Sequence, residues 1–194
     1  MKFTIFFLAA GIVLLSVAIA FDINYFNYSR PIPYSQLRKI SFHDFRAFKR
    51  PNMALNGVKE FAYIKTNREI HFLNNGSIDI TTYFHPSRSY VFAQNIREAD
   101  LLTHELYHFH ITEYYSRLLR REILENPITI SHNMINLLNE KYYQLENEMQ
   151  LKYDEDTYHS YIMQEQKKWE IKIDSLLQSL ESFSNPLITI RSNE

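Results

Sequence analysis

The spacing of apolar and polar residues changes twice along the chain, and each change predicts a different kind of structure. An uncharged apolar run extends from Phe3 to Phe21. Apolar and polar residues alternate in Val58 to Thr66 and in Glu69 to Phe84, with Asn-Gly inside the second stretch, and this pattern predicts a hairpin or small antiparallel sheet. A further strand is predicted at Arg88 to Phe92. From Asn95 onwards apolar residues recur every three or four positions, which predicts helices.

Two Asn-Pro pairs divide the helical part of the chain. Asn126-Pro127 ends the first helix, and Asn185-Pro186 ends the last. We predict a second helix from about Ser131 to Tyr153 and a third from about Asp156 to Phe183, with Asp156 or Thr157 as the N-cap of the third. The expected fold class is therefore α+β, with a small antiparallel sheet or hairpins in the N-terminal half followed by three long helices.

The apolar run at the N-terminus is typical of a secretory signal peptide. Lys2 precedes the run, which closes with Ala18-Ile19-Ala20, an A-x-A pattern that predicts cleavage after Ala20. Residues 21–194 would then form a single domain. The alternative is an uncleaved transmembrane anchor, because about 18 apolar residues can just span a bilayer. Both interpretations predict an exported protein of the periplasm, cell envelope or extracellular space, with the membrane as a partner only if the segment is retained.

The composition narrows the classes of partner and the sources of stability. The 194 residues include 21 basic and 22 acidic ones, for a net charge of −1. No field of one sign is available to bind a nucleic-acid backbone, so nucleic acid is not an expected partner. The chain has no cysteine, so an exported domain would be held without disulfides, by its core or by a metal.

His104, Glu105 and His108 form an H-E-x-x-H motif within the first predicted helix. The two histidines lie one turn apart on one face, close enough for both imidazoles to bind one ion. Glu105 lies beside that face, where a general base for a metal-bound water belongs. The motif therefore predicts one zinc ion with Glu105 as the catalytic residue. The competing interpretation is two core histidines beside a surface glutamate.

A catalytic zinc needs a third protein ligand besides the two histidines. His110 and Glu113 point away from the ligand face, so His110 is expected at the surface or rim. Glu113 is expected to be a buried carboxylate that joins the helix to the sheet or to an arginine, with support of the ligands as the lesser option. The third ligand must come from elsewhere, and the residues leave open Glu140 on the second helix or the cluster Asp154, Thr157 and His159. His159 is expected in the first turn of the third helix.

The chain resembles the bacterial secreted zinc-dependent proteases that are catalogued as a domain of unknown function. The resemblance rests on the signal peptide, Asp44-Phe45, Ser89-Tyr90-Val91 and two longer segments, "LLTHELYHFHITEYYSRLLRRE" and "YDEDTYHSYIMQEQKKWEIKI". Within those segments the matching residues are His104, Glu105, His108, Phe109, Glu113, Arg117, Tyr153, Asp154, Thr157, His159, Gln166 and Trp169. The chain departs from the family at His110, where an aspartate is common, and at Ser160, where a glycine is common.

The resemblance implies a zincin-like fold and favours His159 as the third ligand, ahead of Glu140 and Asp154. The remaining cluster residues, Asp154 and Thr157, would then support the ligands. It also implies hydrolysis of a peptide or protein substrate, bound against an edge strand. A tyrosine near the metal is expected to stabilise the oxyanion, with Tyr115, Tyr158 and Tyr161 as candidates.

Two other functions fit the same motif. The first is a non-catalytic envelope protein in which zinc, or the same polar cluster, joins the helices; a structural zinc site would need a fourth protein ligand, such as Asp154 or Glu140. The second is a zinc amidase that acts on cell-wall amide bonds, which shares the same chemistry.

Overall fold

The structure, a computed structural model, describes residues 7, 11–17, 19, 28–47, 62–74, 76–91, 98–126 and 131–189. The predicted cleavage site after Ala20 and the first residues of the strand predicted from Val58 lie outside this part of the chain. Residues 11–17 are helical and exposed. No helix within the described residues combines the length and the apolar character needed to cross a membrane.

The N-terminal half folds into two small antiparallel sheets. The larger is built on a hairpin of β3 (Thr66–Phe72) and β4 (Ser77–Phe84), in which Ile70 pairs with Ile80. Gly76, in the hairpin turn, has a φ of 77°, a conformation that glycine adopts without steric cost. The short strands β1 (Ile32–Pro33) and β6 (Leu187–Thr189) both pair with the side of β4 away from β3. The smaller sheet pairs β2 (Ala62–Tyr63) with β5 (Tyr90–Val91).

Three long helices follow the sheets, so the predicted α+β class is confirmed. They are α1 (Glu98–Glu125), α2 (His132–Thr157) and α3 (Met163–Ser179). Ser131 caps α2 by accepting a hydrogen bond from the backbone N–H of Met134. The predicted boundary between the second and third helices is wrong. Asp156 and Thr157 belong to the last turn of α2, and α3 begins only at Met163.

The first helix is the centre of the molecule and packs against both sheets and both other helices. Its residues Phe109, Ile111 and Leu119 are fully buried, and each belongs to a different apolar cluster. Phe109 packs with the N-terminal segment and the small sheet, Leu119 with the large sheet and α2, and Ile111 with Tyr153 and α3. A helix buried on all sides places its polar side chains inside the protein, so each of them needs a partner.

Candidate metal centre

The two histidines of the motif meet at the bottom of a cleft between α1 and α2. His104 is only 1% exposed, and its Nε2 lies 3.3 Å from Nε2 of His108. The ring of Tyr153 stacks on His104 with centroids 4.6 Å apart and holds the imidazole in place. Zinc binds histidine nitrogen at about 2.0–2.1 Å, so two ligand atoms of a tetrahedral site lie about 3.3–3.4 Å apart. The spacing of the two Nε2 atoms fits such a site.

Asp154 in the last turns of α2 joins the two histidines. Its Oδ1 lies 3.1 Å from Nε2 of His104 and 2.9 Å from Nε2 of His108. The same oxygen lies 3.5 Å from Nδ1 of His159. One carboxylate oxygen therefore contacts three imidazoles, which the sequence did not predict, because it depends on how α2 packs against α1.

His159 reaches this cluster from a turn rather than from a helix. The prediction that it lies in the first turn of the third helix is wrong. Tyr158, His159 and Ser160 have φ angles of 47°, 50° and 71°, so three successive residues adopt the left-handed conformation. The turn reverses the chain over the end of α2, and the N–H of His159 donates to the carbonyl of Asp154 at 3.2 Å. This reversal brings the His159 ring back towards the Asp154 side chain.

Donor atoms of His104, Asp154 and His159 all lie within 4.8 Å of one another, and these three residues could hold a metal ion. His108 extends the group through its contacts with His104 and Asp154. Imidazole nitrogens and a carboxylate oxygen are both ordinary zinc ligands. The donor atoms of His104, Asp154 and His159 therefore fit a metal ion, and this group contains Asp154 where the predicted ligand set had His108.

The electrostatics of the cluster favour a positive charge at its centre. Burial lowers the pKa of His104 to about 4, despite its hydrogen bond to Asp154. Burial also acts to lower the pKa of His108, but the charges of Asp154 and Glu105 outweigh it and raise that pKa to about 9. Burial acts to raise the pKa of Asp154, but His108 and the hydrogen bonds from the imidazoles hold it well below its usual range.

Glu105 lies beside the histidines and is 4% exposed. It lines the same cleft as His104, His108, Asp154 and His159, and its charge acts on His108. The cleft has a volume of about 450 Å³. Segment 62–66 forms one wall and α2 forms the other, the latter through Tyr143, Glu146, Asn147, Gln150, Leu151 and Asp154.

The other residues singled out in the sequence lie away from the cluster. Glu140 is exposed and bonded to Gln144, and it does not line the cleft, so the structure does not bring this alternative ligand to the site. Thr157 is buried, but its hydroxyl donates to the carbonyl of Tyr153 at 2.6 Å instead of capping α3. His110 is partly buried, and its Nδ1 is hydrogen-bonded to Tyr34 Oη at 2.5 Å.

Glu113 has the buried role that its position on the helix predicted. Its carboxylate accepts hydrogen bonds from Arg117, Arg120 and Thr82, and the last of these lies on β4. Arg120 also donates to the carbonyl of Ile80. The tyrosines proposed for the oxyanion do not line the cleft. Within the described residues, Tyr63 and Tyr143 are the tyrosines that do.

Sequence reasoning missed Gln150, which lies one turn before Asp154 on the same face of α2. Its Oε1 is hydrogen-bonded to Nδ1 of His108, and its Nε2 donates to the carbonyl of His108 at 2.9 Å. The only available signal was the four-residue spacing between Gln150 and Asp154, which places two polar side chains side by side.

Comparisons of the chain with protein-family models, with curated proteins and with solved structures found no match. The resemblance to secreted zinc-dependent proteases therefore stays a prediction that rests on the residues quoted for it.

Proposed function

We propose that this protein is an exported zinc-dependent metallopeptidase that hydrolyses peptide bonds in peptides or proteins. The observation that carries the proposal is the meeting of the H-E-x-x-H histidines, with Nε2 atoms 3.3 Å apart, beside Glu105 in an open cleft. A motif match alone has many false positives. Asp154, from a segment about fifty residues away, contacts both histidines, and His159 contacts Asp154, which adds support from residues outside the motif.

His104, His108 and His159 would hold the ion, with Asp154 against all three. Bound zinc would supply a Lewis acid that polarises the scissile carbonyl and lowers the pKa of a coordinated water. The carboxylate of Glu105 would accept the proton of the attacking water and pass it to the nitrogen of the leaving amine. Its position in the cleft beside His104 and His108 fits this role.

The substrate would lie extended in the cleft along segment 62–66. The strand β2, which pairs with β5, lies in this segment. An extended peptide can bind along a strand through main-chain hydrogen bonds. Tyr63, Tyr143 and Leu151 offer partly exposed apolar surface at the cleft for the side chains of such a peptide.

One observation favours a second function, a structural zinc site in a non-catalytic envelope protein. Oδ1 of Asp154 contacts all three imidazoles, so four protein side chains are available as ligands. A site closed by four protein ligands stabilises a fold, whereas a catalytic site keeps one position open for water. The two functions differ in what they require of Glu105, since a structural site has no use for a carboxylate that does not bind the ion.

Metal content and hydrolysis, measured on residues 21–194, test both functions. We expect about one zinc per chain and hydrolysis of a denatured protein. Glu105→Gln should keep its zinc and lose activity by about 10²–10⁴-fold, the usual contribution of a general base. His104→Ala should lose the zinc. Glu125→Gln, a change at an exposed position of the same helix, is the control and should keep both.

Three results would contradict the peptidase. They are a purified chain without zinc affinity, full activity in Glu105→Gln, and tight zinc binding without hydrolysis of any protein or peptide offered. The last result, together with a large fall in the melting temperature on chelation, is what the structural site predicts.

A further inference from the structure

Gln150 lines the cleft, and its amide also makes several hydrogen bonds to α1. Its Oε1 is bonded to Nδ1 of His108, and its Nε2 donates both to the carbonyl of His108 at 2.9 Å and to Oγ1 of Thr112 at 3.3 Å. One amide of α2 therefore binds the ring and the backbone of the same histidine.

These contacts fix which way the amide of Gln150 points. A backbone carbonyl can only accept hydrogen bonds, so the group that faces the carbonyl of His108 must be the NH₂. The amide oxygen must then face Nδ1 of His108. Because an amide oxygen can only accept, Nδ1 must carry the proton of that hydrogen bond. In the neutral ring, Nε2 is consequently left with the lone pair that a metal ion needs.

The amide is itself held on the side away from the histidine. Thr112 is fully buried, and its Oγ1 is hydrogen-bonded to Oγ1 of Thr66 on β3 at 2.7 Å. Oγ1 of Thr112 can also donate to the carbonyl of His108 at 3.3 Å while it accepts from Gln150 and Thr66. A chain of hydrogen bonds thus runs from the sheet through Thr112 to Gln150 and His108. Side chains that are fixed in this way lose little conformational entropy when a ligand binds.

His104 and His108 differ in the hydrogen bonding of their Nδ1 atoms. Nδ1 of His104 is buried and has no hydrogen-bond partner among the described residues, whereas Nδ1 of His108 faces an oriented acceptor. Stacking against Tyr153 fixes the plane of the His104 ring, and its Nε2 faces the acceptor Oδ1 of Asp154 at 3.1 Å. Of the two motif histidines, His108 is therefore the one with an acceptor that holds the proton on Nδ1.

We propose that Gln150 is the positioning residue of the metal centre. It holds His108 with the proton on Nδ1 and with Nε2 directed at His104 and Asp154, and in this way sets the affinity for zinc. This inference rests on the proposed function to the extent that the cluster binds the metal, but not on any catalytic activity. Partners that orient a metal-binding histidine typically contribute 10–100-fold to metal affinity.

The test compares zinc affinities by competition with a chromophoric chelator in the wild type, Gln150→Leu, Gln150→Glu and Gln144→Leu. Gln150→Leu removes all three hydrogen bonds of the amide at similar volume and should weaken zinc binding by about 10–100-fold. Gln150→Glu keeps an acceptor for Nδ1 and should recover most of the affinity. Gln144 is exposed on the same helix, so Gln144→Leu should bind zinc like the wild type.

A second measurement separates positioning from a general loss of structure. Nitrogen-15 NMR of the zinc-loaded protein should show the proton of His108 on Nδ1 in the wild type and in Gln150→Glu. The inference is overturned if Gln150→Leu binds zinc within twofold of the wild type, or if Nδ1 of His108 carries no proton. Either result leaves the proposed peptidase standing. Absence of zinc binding by the wild type and by all three variants would instead remove both proposals.

Discussion

Arg117 forms ion pairs with two carboxylates, Glu113 and Glu181, so the contribution of each carboxylate to stability can be compared. Arg117 donates from Nε to Glu113 at 3.0 Å and from Nη1 to Glu181 at 2.7 Å. The side chain of Glu113 is 2% exposed, whereas that of Glu181 is 71% exposed. The two pairs therefore differ mainly in burial, and removal of each carboxylate should cost very different amounts of stability.

Loss of Glu113 should be severe because it leaves buried positive charge behind. Arg120 has a side chain that is 1% exposed, and it bonds both oxygens of Glu113. After Glu113→Ala, Arg120 keeps its hydrogen bonds to the carbonyls of Ile80 and Phe183 but has lost the anion that balanced it. Breaking a buried pair by removing one partner costs about 3–5 kcal/mol. Glu181→Ala removes an exposed partner and should cost about 0–1 kcal/mol.

Urea unfolding, followed by the fluorescence of Trp169, gives the free energies of unfolding of Glu113→Ala and Glu181→Ala. Trp169 is the only tryptophan of the chain and is buried against Tyr153. In a domain of this size, 1 kcal/mol corresponds to about 2–4 °C in melting temperature, so Glu113→Ala should melt at least about 6 °C lower. If the two variants lose the same stability to within about 0.5 kcal/mol, burial is not what gives this network its strength, and the reasoning is wrong.

Three further predictions concern the turn, the sheet and the metal. Ser160→Gly should raise the free energy of unfolding in urea by about 0.5–1 kcal/mol. A left-handed φ of 71° costs a residue with a Cβ about 1–2 kcal/mol, and the greater conformational entropy of glycine in the unfolded chain offsets part of what is gained by relieving this strain. A loss of stability would show that Ser160 is not strained. Burial lowers the pKa of His85 below 6.5, so the unfolded chain binds its proton first and stability should fall as the pH drops below 6.5. His104, whose pKa burial also lowers, contributes to the same fall, so His85→Gln should make the slope of the stability curve smaller without removing it. An unchanged slope would show that His85 does not contribute. Zinc at a hundred times its dissociation constant should add about 2.7 kcal/mol to stability, visible as a higher melting temperature that chelation reverses; an unchanged melting temperature would exclude a resident metal.

The first helix and the hairpin were predictable because their signals are local. The H-E-x-x-H motif lies in a stretch without proline or glycine, and a continuous helix follows from that composition. The hairpin follows from alternation around Asn75-Gly76. The pairing of β1 and β6 with β4 joins segments far apart in the sequence, and strands of two and three residues carry too few positions to show a period.

The end of the second helix was not predictable from the same rules. A left-handed residue that ends a helix is usually glycine, and the sequence offers Tyr158, His159 and Ser160 instead. The predicted break lies between Tyr153 and Asp156, and without a glycine or proline between Tyr153 and Met163 no residue marks its actual position after Thr157. The position of His159 depends on that break, and so does its contact with Asp154. The resemblance favoured His159 as a ligand, but the expected position in the first turn of the third helix was wrong.

Two opposite faces of α1 carry buried charged groups, and the charges on the two faces are neutralised in different ways. Towards the sheet, two arginines and Glu113 balance one another with help from Glu181 and backbone carbonyls. Towards the cleft, the carboxylates of Glu105 and Asp154 lie among three imidazoles, and their charges raise the pKa of His108. These carboxylates favour a cation in the cluster, and the same charges would act on a catalytic or on a structural ion.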